Sequence, residues 1–309
     1  MVGFSRVRVG AAWHGEQVRY AALGVVYVVW GSTYLAIRLT IESLPPLLSG
    51  GVRFLLAGSV LAAVVAVVSR GALRMTRAQF GTAALLGFLL PAWGNGMVVV
   101  AEQHVSSGLA ALLIASVPLY VVVLRRAFGE RPPPVTFAGV GLGLVGLAVL
   151  VLLGHADGGT HGSAWWGPWL VLLASLGWSA GSFAAGRLPT PANPFALSAV
   201  EMLVGGAVMT AVGLVTGERV DFASVTTTSW LAWAYLVVFG SVLAFSSYVY
   251  VLGKLPLSTV ATYAYVNPVI AVLLGVVVAG EHFGAVQFLG GALVVVAVVL
   301  VVTAERSGR

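Results

Sequence analysis

The stretch YAYVNPVIAVLLGVVVAGE, residues 263–281, decides the class of fold. It is apolar along almost its whole length, which is typical of a helix that crosses a lipid bilayer. Asn267 and Pro268 interrupt it, and Glu281 ends it. Because proline removes a backbone hydrogen bond and clashes with the preceding turn, the stretch predicts a membrane helix that is kinked at Pro268. Carbonyls freed by such a kink must be satisfied by protein or by a water-lined cavity.

The rest of the chain has the composition of a polytopic membrane protein. Of its 309 residues, 59% are hydrophobic and 8% are charged, whereas about a quarter of the residues in soluble domains are charged. There is no cysteine, which excludes disulfides, thiolate metal sites and cysteine nucleophiles. The abundance of alanine, valine and glycine, with arginine far more common than lysine, indicates a bacterial genome. The bacterial cytoplasmic membrane is therefore the expected location.

Hydropathy and helix breakers predict ten membrane spans. Their ranges are 20–41, 46–69, 78–100, 106–124, 134–153, 165–186, 194–216, 229–252, 257–279 and 284–303. Each is long enough to cross ~30 Å of hydrocarbon at about 1.5 Å per residue. The connections between them are short, so no soluble domain is predicted. The fold class is an all-α polytopic membrane protein, with tails at 1–19 and 304–309.

The positive charges indicate how these spans are oriented. If the N-terminus is cytoplasmic, 13 of the 16 Lys and Arg residues fall in cytoplasmic segments. Only Arg38 and Arg219 fall outside, and Arg53 lies within a span. Because positive residues favour the cytoplasmic side, this asymmetry predicts that both termini are cytoplasmic. The net charge of +6 is thus a topology signal beside the lipid bilayer, and no nucleic acid partner is expected.

An internal repeat relates the two halves of the chain. Trp30 and Trp178 are 148 residues apart, as are Pro46 and Pro194, and Gly58 and Gly206. Further along, the offset grows to 150 for Pro118 and Pro268, and to 151 for Glu130 and Glu281. The pattern predicts two five-helix units at 20–153 and 165–303. Because five is odd, the second unit is inverted, an architecture common in secondary transporters. The paired prolines are candidate hinges.

Four stretches of the sequence resemble a known family. They are VWGSTYLAIR (29–38), PPLLSGGVRF (45–54), WGNGMVVVAEQHVSSGLAALLIASVPL (93–119) and the segment from FGSVLAFSSYVYVL to VNPVIAVLLGVVVAGE (239–281). In combination they resemble the EamA-type carriers of the drug/metabolite transporter superfamily. The resemblance covers about 20–303 and implies two inverted EamA-type five-helix repeats, a central cavity, and export or exchange of small metabolites or drugs. One departure is RPPP at 131–134, where a polar stretch is more usual.

Two charged residues lie within the predicted spans at equivalent positions of the repeat. Arg53 and Glu201 are 148 residues apart, and each lies about two turns into its helix. A charge inside a membrane is usually paired or faces water. The two side chains either form one ion pair or each has its own partner. Glu201 is the only acid predicted within a span, so it is the candidate for proton coupling; a structural pair and substrate contact are the other readings.

Polar and aromatic residues cluster in the repeat-related spans and are candidates for a substrate cavity. Hydroxyl and amide groups within a bundle either bridge helices or line a cavity, and aromatic rings provide walls for an apolar solute or hold a cation. The candidates are Trp30, Ser32, Thr33, Tyr34, Trp93, Asn95, Trp178, Ser179, Ser182, Tyr248, Tyr263, Tyr265 and Asn267, with Ser246 and Ser247 beside them.

Other classes of function fit the sequence less well. An intramembrane hydrolase needs a histidine within the membrane, but all five histidines fall in predicted loops or at span ends, so an enzyme is not expected. GLGLVG (141–146) matches a dinucleotide pattern but lacks the preceding strand and βαβ unit. Its glycines instead predict close helix packing, within the bundle or across a homodimer. No metal or cofactor is predicted.

The prediction is thus a carrier that moves a small organic solute across the cytoplasmic membrane by alternating access, as an exporter or exchanger. Its direction is implied only by the family resemblance. A lipid-linked substrate flippase, and a facilitator or channel without ion coupling, remain the alternatives.

Overall fold

The structure is a computed structural model that describes residues 4–131, 133–153, 165–282 and 284–307. The described part of the chain is helical and has no β-sheet. Its helices, in chain order, are α1 (Phe4–Ile41), α2 (Pro46–Val68), α3 (Arg77–Gly87), π1 (Phe88–Asn95), α4 (Gly96–Ala101), α5 (Ser107–Ile114), α6 (Val117–Ala127), α7 (Pro134–Leu152), α8 (Gly167–Ala185), α9 (Pro194–Val215), α10 (Thr227–Tyr235), π2 (Leu236–Phe245), α11 (Ser246–Leu252), α12 (Leu257–Val260), α13 (Tyr263–Ala279) and α14 (Ala285–Ser307).

Seven helical segments within the described ranges are long and apolar enough to cross a membrane. They are Glu16–Ile41, Pro46–Val68, Arg77–Ala101, Ser107–Ala127, Gly167–Ala185, Pro194–Val215 and Thr227–Leu252. Three shorter apolar helices cover Pro134–Leu150, Val266–Ala279 and Ala285–Val301. The prediction of an all-helical polytopic membrane protein is confirmed at this level. Below, span 3 denotes α3, π1 and α4; span 4 denotes α5 and α6; span 8 denotes α10, π2 and α11; span 9 denotes α12 and α13.

Small residues bring the helices into close contact. α2 packs along α9, and α7 packs along α14. A methyl group added at Gly206 would lie 2.7 Å from the carbonyl oxygen of Gly51, so the α2 and α9 backbones nearly touch. Likewise, a methyl group at Gly146 would lie 2.9 Å from the backbone nitrogen of Val294 in α14. Without a hydrophobic driving force between helices in lipid, such close van der Waals packing is a main source of their association.

Spans 4 and 9 are interrupted, but the interruptions precede the predicted prolines. Span 4 breaks at residues 115–116, and Pro118 is among the first residues of α6. That position suits proline because its missing N–H would have no partner in the first helical turn. Span 9 breaks at residues 261–262, while Pro268 lies inside the continuous helix α13. The hinge role of both prolines stays a prediction.

Two π-helical segments, which the sequence reading did not foresee, interrupt spans 3 and 8. π1 contains Pro91, whose ring packs on Gly205 of α9, where a methyl group would lie 2.3 Å from the proline Cγ. π2 contains Gly240. π-helical turns are rare and frequently lie at functional sites.

The loops form two chemically different ends of the bundle. The acidic end comprises the connections at 42–45, 102–106, 216–226 and 280–282, with Glu42, Glu102, Glu218, Asp221 and Glu281. The basic end comprises the connections at 69–76, 128–131, 186–193 and 253–256 with the adjoining helix ends, and carries Arg70, Arg74, Arg77, Arg125, Arg126, Arg131, Arg187 and Lys254. Contacts join the loops of each end, for example Ser43 to Thr226 at the acidic end and Gln79 to Thr190 at the basic end.

Candidate functional site

Four aromatic side chains meet near the middle of the bundle, and we call them the aromatic cluster: Trp30 of α1, Trp178 of α8, Tyr248 of α11 and Tyr263 of α13. The ring of Trp30 lies 5.3 Å from Trp178, 4.8 Å from Tyr248 and 5.4 Å from Tyr263, measured between centroids. Two of these contacts are edge-to-face, an arrangement that aromatic quadrupoles favour. The two tryptophans that the repeat pairs are therefore in direct contact.

A short polar network supports the cluster. The Trp178 Nε1 donates a hydrogen bond of 3.1 Å to the Tyr248 hydroxyl, which is also 2.5 Å from the Ser182 Oγ. Ser182 in turn donates to the carbonyl oxygen of Trp178. Because buried polar groups are costly without partners, these bonds hold Tyr248 and Trp178 in one arrangement.

A small cavity adjoins the cluster on its acidic side. Its volume is about 60 Å³, enough for a few water molecules and too small for a metabolite. It is lined by Trp30, Thr33, Tyr34, Ile37, Gly94, Asn95, Val98, Ile114, Ala174, Trp178 and Tyr263. Six of the residues predicted for the cavity are among them: Trp30, Thr33, Tyr34, Asn95, Trp178 and Tyr263. The walls come from both halves of the chain, and the aromatic cluster separates this space from the basic end.

Three other predicted cavity residues make contacts between or within helices instead. Ser32 hydrogen-bonds the Tyr235 hydroxyl at 2.6 Å. The Trp93 Nε1 donates to the carbonyl oxygen of Leu173 at 2.8 Å. Ser179 donates to the carbonyl oxygens of Ser175 and Val117. These groups bridge helices, which is the alternative to lining a cavity for polar residues inside a membrane bundle.

The contacts of Asn267 explain why an amide side chain lies beside Pro268. Its side chain is buried. With the amide nitrogen turned toward acceptors, it donates to the backbone carbonyls of Tyr27 at 3.0 Å and Tyr263 at 3.3 Å. Asn267 thus ties α13 to α1 through Tyr27, and its other acceptor, Tyr263, is the first residue after the break in span 9. The side chain of Tyr265, another predicted cavity residue, lies outside the described part of the structure.

Arg53 lies just behind the cavity wall. Its side chain is 3% exposed, and its Nη2 donates to the Asn95 Oδ1 at 2.8 Å. Asn95 itself lines the cavity. The Nε of Arg53 has no hydrogen-bond partner within the described ranges. The guanidinium is therefore one side chain away from the cavity and has hydrogen-bonding capacity left.

Glu201 lies on the basic side of Arg53. Gly58 faces Ala199 and Leu203, so Glu201 is level with Gly58, which is five residues from Arg53 and hence about 7.5 Å along the helix axis. No ion pair joins Glu201 to Arg53 in the described residues, and the Glu201 Oε2 has no hydrogen-bond partner there. Glu201 lines a cleft of about 250 Å³ at the basic end, together with Lys254.

Two acids that the sequence reading assigned only to loops hold helix ends. The carboxylate of Glu281 accepts hydrogen bonds from the Ser107 backbone and hydroxyl, both at 2.8 Å, and from the Gly108 backbone at 3.2 Å. The carboxylate of Glu218 accepts from the backbone nitrogens of Leu47 at 3.2 Å and Leu48 at 2.7 Å. Both therefore cap the positive N-terminus of a distant helix, α5 or α2. The sequence signal for this capping role is an acid in one loop and, in another loop at the same end of the bundle, a short segment that leads directly into a helix.

Within the described ranges, no group of three or more His, Asp or Glu side chains is placed to hold a metal ion. The site described above offers aromatic walls, a few hydroxyl and amide groups, and charges close behind them.

Comparison with known proteins identifies the family. The EamA-like transporter family matches residues 20–152 and 165–303. An Escherichia coli protein described as an uncharacterized inner membrane transporter, YedA, is 40% identical over 283 residues, which are 91% of this chain and 90% of that protein. A protein of Streptantibioticus cattleyicolor described as a probable terminal-alkyne amino-acid exporter is 26% identical over 91% of this chain and 92% of that protein.

A solved crystal structure shares the fold with a TM-score of 0.68 and 22% identity, covering 94% of this chain and 98% of that one. The prediction of the family is confirmed by a match that takes in nearly the whole chain, and the relatives' names indicate transport rather than catalysis. This chain therefore belongs to the EamA-like transporter family and is a multi-pass membrane transporter.

Proposed function

We propose that this protein is a secondary carrier that moves a small organic solute across the cytoplasmic membrane by alternating access. The observation that carries the proposal is the aromatic cluster with its adjoining cavity, built from both halves of the chain in the middle of the bundle. A cavity of about 60 Å³ does not admit a metabolite. Transport therefore requires that the helices around the cluster separate, first toward one end and then toward the other.

Several features support ten spans arranged as two inverted repeats. π1 begins at Phe88 and π2 at Leu236, which are 148 residues apart, the offset that pairs Trp30 with Trp178. Spans 4 and 9, which the repeat also pairs, are both interrupted. Broken helices at equivalent positions of two halves are a common feature of secondary transporters. If Pro268 itself acts as a hinge, Pro268→Ala will insert and fold normally but slow the turnover of solute.

The charges of the two ends support an orientation with the basic end and both termini in the cytoplasm. The chain has no native cysteine, so single cysteines report accessibility directly. Ser224→Cys at the acidic end and Arg74→Cys at the basic end both replace exposed residues. An impermeant maleimide added to intact cells will label the first, and it will label the second only after permeabilisation. The reverse pattern would contradict this orientation.

Glu201 is the proposed proton-coupling residue. It is 1% exposed, one of its oxygens has no partner in the described structure, and it lines the cleft at the basic end. A buried carboxyl that can be reached from one side is suited to exchange a proton with that side. Transport by Glu201→Gln that keeps the wild-type dependence on pH would contradict this role.

Outward movement is proposed as the direction, and the name of the Streptantibioticus relative is consistent with export. The aromatic walls suit an apolar or ring-bearing solute. The alternatives, a lipid-linked substrate flippase or a facilitator without ion coupling, use the same fold.

A homodimer through glycine-rich faces is also proposed. However, Gly139, Gly143 and Gly146 of α7 pack against helices of the same chain. Of the α7 glycines, Gly141 has open space beside it and is therefore the one available for a contact between copies of the protein. The mass of the protein in detergent tests the dimer.

The test of the function is a solute screen on purified protein in liposomes. Amino acids, cationic dyes and purine metabolites are each assayed with and without a proton gradient. Uptake of one class that collapses with the gradient supports a proton-coupled carrier, and uptake that ignores it supports a facilitator. Trp30→Ala will abolish uptake, whereas Trp169→Ala, a control in which the native side chain is 46% exposed, will not. Equal uptake by the two variants would contradict a role for the aromatic cluster.

A further inference from the structure

Glu102 is a buried acid at the acidic end that the proposed mechanism does not yet use. It directly follows the third span, which ends at Ala101, and its side chain has no solvent exposure. Asn95 and Val98, which line the central cavity, lie seven and four residues before it. Residues at this spacing share one face of a helix, so Glu102 continues the cavity-lining face of α4 toward the acidic end.

The carboxyl group of Glu102 lacks a hydrogen-bond partner in the part of the chain that the structure describes, because both of its oxygens are buried and unpartnered there. Its backbone carbonyl oxygen, by contrast, accepts from the Arg38 Nη1 at 3.1 Å. An ionised carboxylate buried in this way would cost several kcal/mol, and such a group binds a proton instead. This arrangement is that of a neutral carboxylic acid.

The surroundings of Glu102 also provide for its ionised form. Burial raises the pKa of this carboxyl well above its usual range, and Glu281 raises it further, whereas Arg38 of α1 and Arg53 of α2 lower it. Tyr34 of α1, which lines the cavity, also lies close enough to interact with its charge. Because the Nε of Arg53 has no partner among the described residues, a small approach of that guanidinium would stabilise the carboxylate and release the proton.

Glu102 and Glu201 flank the aromatic cluster from opposite ends of the bundle. We propose that Glu102 is a second proton-binding carboxyl of the carrier, which exchanges its proton at the acidic end as Glu201 does at the basic end. The inference rests on the proposed proton-coupled function. In such a carrier the solute and the proton would alternate across the aromatic cluster, because opening either end would hydrate only the carboxyl of that end.

The test is infrared spectroscopy of the purified protein in lipid, because protonated carboxylic acids have a carbonyl stretching band that carboxylates lack. The variants are Glu102→Gln, Glu201→Gln and, as a control on an exposed acid, Glu42→Gln. At neutral pH, Glu102→Gln will lose one component of the band and Glu42→Gln will lose none. In wild-type protein this component will shift in deuterated buffer and disappear reversibly as the pH is raised.

An unchanged band in Glu102→Gln, or a component that responds neither to deuterium nor to pH, would overturn the proposal. If Glu102→Gln does not fold, the band that remains in Glu201→Gln serves the same purpose. Because no solute is needed, the outcome is independent of the transport screen. Proton-independent uptake in the screen would refute the coupled function while leaving the infrared titration to report on Glu102.

The stability of the protein provides a second measurement. The pKa of Glu102 is higher in the folded than in the unfolded protein, so the folded state binds more protons and becomes less stable as the pH rises through that interval. Glu102→Gln removes this loss, and its thermal midpoint will exceed that of the wild type at alkaline pH while matching it at acidic pH. A wild-type midpoint that rises over this range relative to the variant would mean that Glu102 is ionised and paired.

Discussion

The acidic and basic ends of the bundle are held together by different chemistry, even though the proposed repeat relates them. Glu281 and Glu130 are partners in that proposed repeat, 151 residues apart. At the acidic end, Glu281 binds the N-terminus of α5 through three hydrogen bonds. At the basic end, Glu130 pairs with Arg125 at 2.6 Å and with Arg187.

The two carboxylates differ in whether they cap the N-terminus of a helix. In the proposed repeat the partner of Ser107, 150 residues later, is Leu257, the first residue of α12. That helix has no side-chain cap from any described residue, although Glu130 would cap it if the two ends were alike. The acidic end is thus closed by bonds to a helix backbone, while the equivalent helix of the basic end is uncapped. Such an asymmetry is expected of the alternating carrier proposed above, whose two ends open in turn.

The largest expected effect is that of Glu281→Ala. It leaves the N–H groups of Ser107 and Gly108 without their charged acceptor and should lower the free energy of unfolding by roughly 2–3 kcal/mol. The thermal midpoint in detergent measures it, with Glu42→Ala, which removes an exposed acid of the same end, as the matched control. Equal midpoints for the two variants would remove the basis of the comparison.

Glu218→Ala should have the next largest effect. Within the described ranges its carboxylate accepts from two backbone nitrogens at the start of α2 and from no side chain, so the expected loss is about 1–2 kcal/mol. Because Glu218 and Glu281 cap different helices, the double variant should show additive losses. Strong coupling between the two would mean that the acidic end opens as one unit.

Glu130→Gln should cost less than about 1 kcal/mol, because its partners at the basic end are partly exposed and screened by solvent. A similar midpoint for Glu130→Gln and the wild type, beside a clear loss in Glu281→Ala, would sharpen the contrast between the ends. A loss as large as that of Glu281→Ala would show that the two ends are equally locked.

The smallest effect concerns pH. Burial alone would raise the pKa of the Glu130 carboxyl, but the hydrogen bonds and charges of Arg125 and Arg187 lower it overall. A depressed pKa contributes stability that is present above the unfolded value and is lost as the pH falls through the folded value. The wild-type midpoint should therefore fall slightly more than that of Glu130→Gln below about pH 4.5. Parallel curves would mean that the arginines contribute nothing to Glu130.

The fold class and the family could be predicted from the sequence because lipid imposes long apolar runs, and the repeat placed Trp30 and Trp178 at matching depth. The hydrogen-bond partners of the polar side chains could not be predicted from the sequence. Ser32 and Trp93 read as cavity residues, yet they bond to Tyr235 and Leu173 of neighbouring helices. A hydroxyl or indole in a membrane helix indicates only that a partner exists, and packing decides which one.

The charged residues show the same limit. Arg53 and Glu201 occupy equivalent positions in the two halves, but antiparallel packing of α2 and α9 sets them at different depths. Glu102 was assigned to a loop because hydropathy ends a span at its last apolar residue, and the enclosure of that loop by α1 and α2 is a tertiary effect. The break in span 9 precedes Pro268, and α13 continues through the proline; the nearby Asn267 bonds the carbonyls of Tyr27 and Tyr263, partners that the sequence could not reveal.

The π-helical segments give the bundle a means of rotation. A π turn holds more residues than an α turn, so releasing one residue from π1 would turn everything that follows it by ~100° about the helix axis. Asn95 ends π1, and α4 continues from it through Val98 to Glu102. A single change of winding would thus withdraw Asn95 from Arg53 and turn Glu102 away from α1 in the same movement. Span 8 contains its own π-helical segment, so each half of the described chain has a segment in which such a change of winding is available.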